Sequence, residues 1–249
     1  MKEIKITNKA STQEMVSREK FYELYKNSPL PQNEQLAHLG LFIKRQSLSR
    51  ILFIHDLYKM ILNVPGIIIE FGVRWGQNLS LFTSLRGIYE PYNYSRKIVG
   101  FDTFTGFEGV SLNDGVSDIA HNGAYSVAES YEHYIDEILH YHESESPIPH
   151  IKKYQLIKGD ANETINTFLN ENKHTIISLA YFDFDIYKPT KTCLEAIMDR
   201  LTKGSILCFD ELNHPDFPGE TIALMETFGI KNVKLQRSNL VTFASYMVI

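Results

Sequence analysis

The sequence predicts an α/β protein: a mostly parallel sheet between helices, an antiparallel hairpin at its C-terminal end, and extra helices at the N-terminus. Three observations carry this. After Pro65-Gly66 the chain alternates between helical patterns and the short apolar runs "GIIIEFG", "KIVGFD", "YQLIKGD", "ISLAYFDFD" and "GSILCFDE", the texture of βαβ units. The last residues, "VKLQRSNLVTFASYMVI", form two β-rich runs around "RSN". Before Pro65, apolar residues recur at three- and four-residue spacing.

In chain order, Ser11 to Lys26 reads as a helix, and Asn33 to Leu62 as a second. The latter carries Leu36, Leu39, Phe42 and Ile43, then Ile51, Ile54, Leu57, Tyr58 and Ile61. The polar "KRQS" predicts a break near Gln46 to Ser49. Residues 1–64 thus form an N-terminal helical cap on a domain spanning 65–249. Thr103 to Tyr131 is long and rich in Gly, Asn, Asp and Ser, which predicts a lid-like loop.

At 249 residues, 43% hydrophobic and 22% charged, the composition is that of an ordinary globular chain. A net charge of −5 with scattered Lys and Arg gives no basic field for a nucleic acid. Cys193 and Cys208 sit in apolar context, where free thiols pack as small hydrophobes, and this suits a reducing cytoplasm. "MKEIKITNKASTQEM" lacks the apolar core of a signal peptide, and no apolar stretch suggests a membrane span. The apolar N-terminal helices are expected to pack on their own sheet or on a second subunit.

Acids end the predicted strands: Glu70, Asp102, Asp160 and Asp183, with Asp210-Glu211 as a fifth instance. One such acid taken alone is as readily a cap on the following helix or a solvated side chain. Five on one rim predict an acid-lined crevice at the carboxyl ends of the sheet, where open α/β sheets bind ligands. "EFGVRWGQN" carries Glu70, Gly72 and Gly76 as E-x-G-x-x-x-G, not G-x-G-x-x-G. An acid there repels a pyrophosphate and favours an ammonium or sulfonium, both present in S-adenosylmethionine. Asp102, with Thr103 after it, is placed for ribose hydroxyls, and Asp160 with the backbone at Ala161 for the adenine amino group. Together with the C-terminal hairpin, this is less like a dinucleotide dehydrogenase than a Rossmann-like class I methyltransferase.

These segments, "IIEFGVRWGQN", "GFDTFTGFEG", "KGDANET", "YFDFDIYKPTKTCLEAI" and "GSILCFDEL", resemble the successive motifs of the macrocin O-methyltransferase family, over about Ile67 to Gly229. The resemblance implies a sugar O-methyltransferase using S-adenosylmethionine and Mg²⁺ or another divalent cation, with a saccharide or glycoside acceptor. Where the family has two aspartates after the fifth strand, this chain has Asp210-Glu211, and "LNHPDFPGET" replaces the family's continuation. Asp183, Asp210 and Glu211 offer the hard oxygens that Mg²⁺ prefers. Asp185 is then the general base, although Asp183 and Asp185 can exchange roles, and His214 is a second candidate against a plain solvated loop residue. A NAD-type oxidoreductase and a catalytically silent cofactor-binding or assembly module are the alternatives.

Other features have plainer readings. His133, His140, His142 and His150 fall on the polar side of a helix whose apolar face is Tyr134, Ile138 and Tyr141. Trp75 is expected either near the cofactor or, by preference, in the core anchoring the first helix to the sheet, and His121 in solvent, while Phe104, Phe107 and Tyr125 are available to stack on a sugar or cover the cofactor. Arg86, Arg96 and Lys97 suggest an anion site for the acceptor.

Overall fold

The computed structural model describes residues 10–249; the first nine residues of the expected helical cap lie outside them. Helix α1 (Thr12–Lys26) starts at a capping box: Glu14 N donates to Ser11 Oγ at 3.3 Å, and Ser11 N donates to the Glu14 carboxylate at 2.8 Å. A short α2 (Gln32–Ala37) and a 3₁₀ turn at Leu39–Leu41 lead to α3 (Arg45–Met60). The break therefore falls before Arg45, not at Gln46 to Ser49. Gly40 weakens the helix at the turn, while Ser49 bonds back to the carbonyl of Arg45 and continues α3 instead of starting it. Neither α1 nor α2 buries a residue, and Leu36 and Leu39 are exposed despite their spacing. The apolar pattern is spent on the core only in α3, through Phe53, Ile54, Leu57 and Tyr58.

Strand β1 (Ile67–Phe71) leads through α4 (Gln77–Tyr89) to β2 (Ile98–Asp102), and α5 (Tyr131–Ser144) precedes β3 (Tyr154–Lys158). After α6 (Ala161–Glu171) come β4 (Ile177–Phe182), α7 (Tyr187–Ile197), β5 (Leu201–Phe209) and α8 (Gly219–Phe228). The five strands are parallel. Two more follow, β6 (Gln236–Arg237) and β7 (Ser245–Val248), giving a seven-stranded sheet in the order β3-β2-β1-β4-β5-β7-β6. The predicted hairpin forms with β7 antiparallel to both β5 and β6. Its connection spans 238–244 rather than "RSN" alone, and the pairing slots β7 inside the sheet, leaving the short β6 as edge.

Strand residues alternate between two cores. Ile68, Tyr181 and Cys208 pack with α3, α4 and α5 on one face; Ile69, Phe182 and Phe209 pack with α6, α7 and α8 on the other. Cys208 belongs to the first and Cys193 to the second, so both are buried free thiols separated by the sheet. No helix among the described residues is long and apolar enough to cross a membrane.

Three basic residues expected at an acceptor site are elsewhere. Arg96 is buried at the amino end of the sheet, bonded to Glu90 and to the carbonyls of Ile61, Val64 and Gly66. Arg86 is buried between Glu143 and the carbonyl of Lys153, and Lys97 is exposed beside the start of β2. In α5 the buried face is Ile135, Leu139 and Glu143, while Tyr134 and Tyr141 are exposed. The buried Glu143 shifts the stripe, because a carboxylate paired with Arg86 and Lys153 occupies an inward position that hydrophobicity alone assigns to solvent. His133 and His140 are exposed, as the polar-face reading expects, whereas His142 is half-buried with Nδ1 3.3 Å from Ser84 Oγ and His150 lies beyond the end of the helix at Ser144.

Candidate active site

The sheet order reverses between β1 and β4, and a cavity of about 420 Å³ opens at the carboxyl ends there, within the size range of small-molecule sites. All five acidic strand ends line it: Glu70, Asp102, Asp160, Asp183 with Asp185, and Asp210 with Glu211. Two glycines make the geometry. Gly72 has φ +91°, and a Cβ there would collide with the carbonyl oxygen of Asp183, so only glycine lets the β1 exit lie against the β4 exit. Gly76, at φ +78°, starts α4 against the side chain of Ile135.

Asp102 organises the loops around the cavity. Its two oxygens accept from Arg74 N at 2.7 Å and Phe104 N at 2.6 Å, pinning the glycine loop to the loop after β2. Thr103 Oγ1 donates to the carbonyl of Gly106 at 2.8 Å. Asp160 caps α6, accepting from Asn162 N at 2.9 Å, while Ala161 begins that helix on the cavity wall. Glu70 is buried with Oε2 unbonded; burial first, then the charge of Asp183, holds its pKa well above the usual carboxylate range.

The second half of the rim is dominated by a residue the sequence did not flag. Arg50 of α3 donates Nη1 to both oxygens of Asp210 at 3.0 and 2.9 Å and Nη2 to Asp183 at 2.8 Å. Tyr181 donates its hydroxyl to Asp210 from below. Asp185 is buried at φ 62°, a left-handed conformation unusual for aspartate and typical of constrained sites. Its N–H donates to Glu220 at 3.3 Å, and Glu211 N donates to the same carboxylate at 3.1 Å, so the buried Glu220 at the start of α8 ties together the β4 and β5 exits. Burial and the neighbouring Asp210 raise Asp183 to about 7 and Glu211 to about 8, and burial followed by the charge of Asp183 pushes Asp185 well above the usual carboxylate range.

The raised Glu211 has a measurable consequence. A carboxyl with a folded-state pKa near 8 and an unfolded value near 4.5 lets the fold keep a proton that the unfolded chain releases, so its contribution to stability is lost as pH rises between those values. In chelator, Glu211→Gln and the parent should have similar denaturation midpoints near pH 5. The variant should become progressively more stable up to pH 8, with no further divergence above. Parallel curves across that range would contradict a half-buried, protonated Glu211.

Most predicted site residues meet at this cavity. His214 does not line it; its ring packs on Phe243 and Phe217 with centroids at 4.3 and 5.4 Å, and Nε2 is 3.7 Å from Glu211. Trp75 is 39% exposed at the cavity mouth, edge-on to Tyr131, rather than in the core. The glycine loop turns it outward, since Val73 takes the inward position. Phe107 and Tyr125 line the cavity, whereas Phe104 is buried in the core beneath. Arg74, also on the wall, lies over the Tyr125 ring at 4.5 Å. Asp183, Asp210 and Glu211 suit a divalent cation in donor chemistry, and Glu211 Oε2 is buried without a hydrogen bond. Among the described residues, however, no three acidic, His or Cys side chains are already gathered as a coordination sphere. The Arg50 guanidinium occupies the bridge between two of them.

Comparison with known proteins decides the family. Over 97% of this chain and 94% of its own, calicheamicin methyltransferase CalS11 superposes with a TM-score of 0.93 at 42% identity. The chain is a member of the macrocin-type sugar O-methyltransferase family. A ligand-free CalS11 structure, named a TDP-rhamnose 3′-O-methyltransferase, matches this sugar O-methyltransferase at 40% identity over 97% and 96% of the two chains, TM-score 0.85. The O-methyltransferase NovP shares the fold, with TM-score 0.60 and 18% identity over 80% and 79%. Comparisons with protein-family models and with curated protein sequences gave no match.

Proposed function

We propose that the chain is an S-adenosylmethionine-dependent, Mg²⁺-dependent O-methyltransferase acting on a hydroxyl of a saccharide or glycosylated small molecule, foremost a nucleotide-linked deoxysugar. One observation carries the reading: an acid-started glycine loop and a second set of strand-end acids share one cavity, in a chain 42% identical to CalS11 over nearly its whole length. The acceptor class follows CalS11, which is named for TDP-rhamnose.

In this reading Glu70, Gly72 and Gly76 receive the amino-acid end of the cofactor, Asp102 and Thr103 its ribose, and Asp160 and Ala161 its adenine. Asp183, Asp210 and Glu211 hold the divalent ion. When bound, the sulfonium supplies an activated methyl group and the ion acidifies a sugar hydroxyl. Asp185 takes the proton of that hydroxyl, and Glu220 fixes its backbone. His214 supports Glu211 from outside the cavity. The loop 103–131 serves as a lid that brings Phe107 and Tyr125 over the site and excludes water, anchored where Asp114 accepts from Tyr187 N at 2.5 Å. The two buried free thiols suit a cytoplasmic enzyme, and the exposed Tyr22, Leu24 and Leu36 of the N-terminal helices suit contact with a second subunit.

Titration calorimetry with S-adenosylmethionine, S-adenosylhomocysteine and NAD tests the cofactor, and mass spectrometry of reactions with TDP-deoxysugars and free saccharides tests turnover. The first two ligands should bind, NAD should not, and methylated product should require Mg²⁺. Binding of NAD alone would restore the oxidoreductase reading. Cofactor binding without product from any sugar would favour a silent module, and turnover in chelator would remove the ion.

A further inference from the structure

The Arg50 guanidinium makes three hydrogen bonds to the two carboxylates, Asp183 and Asp210, that the proposed function assigns to the divalent ion. Each bond uses oxygen lone pairs that an ion would need, and a guanidinium and a divalent ion side by side would repel at short range. We propose that Arg50 is a tethered competitor for the metal site: it neutralises the rim until a divalent ion displaces it. The inference rests on the proposed metal role of Asp183, Asp210 and Glu211.

Three features make Arg50 suited to this exchange. It enters from α3, whose next two turns place Ile54, Leu57 and Tyr58 in the core, so its Cα is fixed while the long side chain is free to change partners. Its side chain is 30% exposed, which leaves it room at the edge of the cavity. A second acceptor stands beside it: Arg50 Nε points to Asn78 Oδ1 at 3.4 Å, and Asn78 also bonds Glu70, whose Oε2 is buried and unbonded. In the cofactor-free protein, a guanidinium leaving Asp183 and Asp210 has this carboxylate to turn to. Because coupling between two ligands of one site is reciprocal, whatever favours the ion disfavours Arg50 on the rim by the same factor.

Mn²⁺ binding followed by electron paramagnetic resonance tests this without turnover, using parent, Arg50→Gln, Arg50→Lys and Asp210→Asn. Arg50→Gln should bind Mn²⁺ at least about tenfold more tightly than the parent and Arg50→Lys should fall between, since Lys offers a point charge without the bidentate fork. Asp210→Asn should lose binding. The thermal midpoint should rise more on adding Mn²⁺ to Arg50→Gln than to the parent. Should Arg50→Gln not fold, Arg50→Lys alone decides by its affinity relative to the parent. Equal or weaker binding in the Arg50 variants, with Asp210→Asn still defective, would overturn the competitor while leaving the metal site standing. Absence of Mn²⁺ binding in every protein would overturn both.

Discussion

Asp210→Asn is expected to lower the methyl-transfer rate by about 100-fold or more, with excess Mg²⁺ failing to restore it, while S-adenosylmethionine binds within about twofold of the parent. The substitution keeps size and one acceptor oxygen but removes the charge that faces Arg50 and Tyr181 on the β5 side of the rim. Asp102→Ala should show the opposite pattern. Removing that carboxylate strips the acceptors from Arg74 N and Phe104 N, and leaving half-buried amides unpaired costs up to about 1–3 kcal/mol each, so the glycine loop loosens and cofactor affinity falls first. Calorimetry for the cofactor and initial rates across an Mg²⁺ series separate the two effects. Equal loss of both functions in both variants would show that the rim is one undivided electrostatic unit, not two adjoining sites.

How much of this was legible in the sequence depends on the range over which each signal acts. Strands β1 to β5 and the acids at their ends were readable because an apolar run stopping at a carboxylate is a local pattern, and the parallel sheet then carries every such stop to one rim. Arg50 carried no such mark. It sits on the polar flank of an ordinary amphipathic helix, 133 residues before Asp183, and only the packing of α3 on the sheet brings it to the cavity. Glu220 was hidden for a related reason: a glutamate in a first helical turn reads as a favourable dipole partner, and its burial beneath the β4 and β5 exits is a tertiary fact. A signal for both existed in principle, since so many acids on one rim require internal cations or donors, but nothing local says which residue supplies them. The apolar spacing in α2 misled in the other direction, because periodicity reports a face without saying what covers it.

The largest stability effect is expected far from the cavity, at Glu143. This carboxylate is 2% exposed and lies between Arg86 and Lys153, each 1% exposed, so one negative charge joins α5 to α4 and to the start of β3. Burial already pushes the Arg86 guanidinium down to about 10 and lowers Lys153, showing how poorly the site tolerates positive charge. Glu143→Leu would leave both cations without an anion, at a cost of about 3–5 kcal/mol, which for a chain this size corresponds to a fall of roughly 6–20 °C in the thermal midpoint. Replacing all three, as Glu143→Leu with Arg86→Leu and Lys153→Met, should recover most of that loss, because the penalty lies in stranding charges and not in removing the cluster. Calorimetric melting of the single and triple variants decides the matter. Cofactor affinity measured well below the transition should stay at the parental value in both, since none of the three residues reaches the cavity. A triple variant as unstable as the single one would mean that the ion cluster holds α4, α5 and β3 together in a way apolar packing cannot replace.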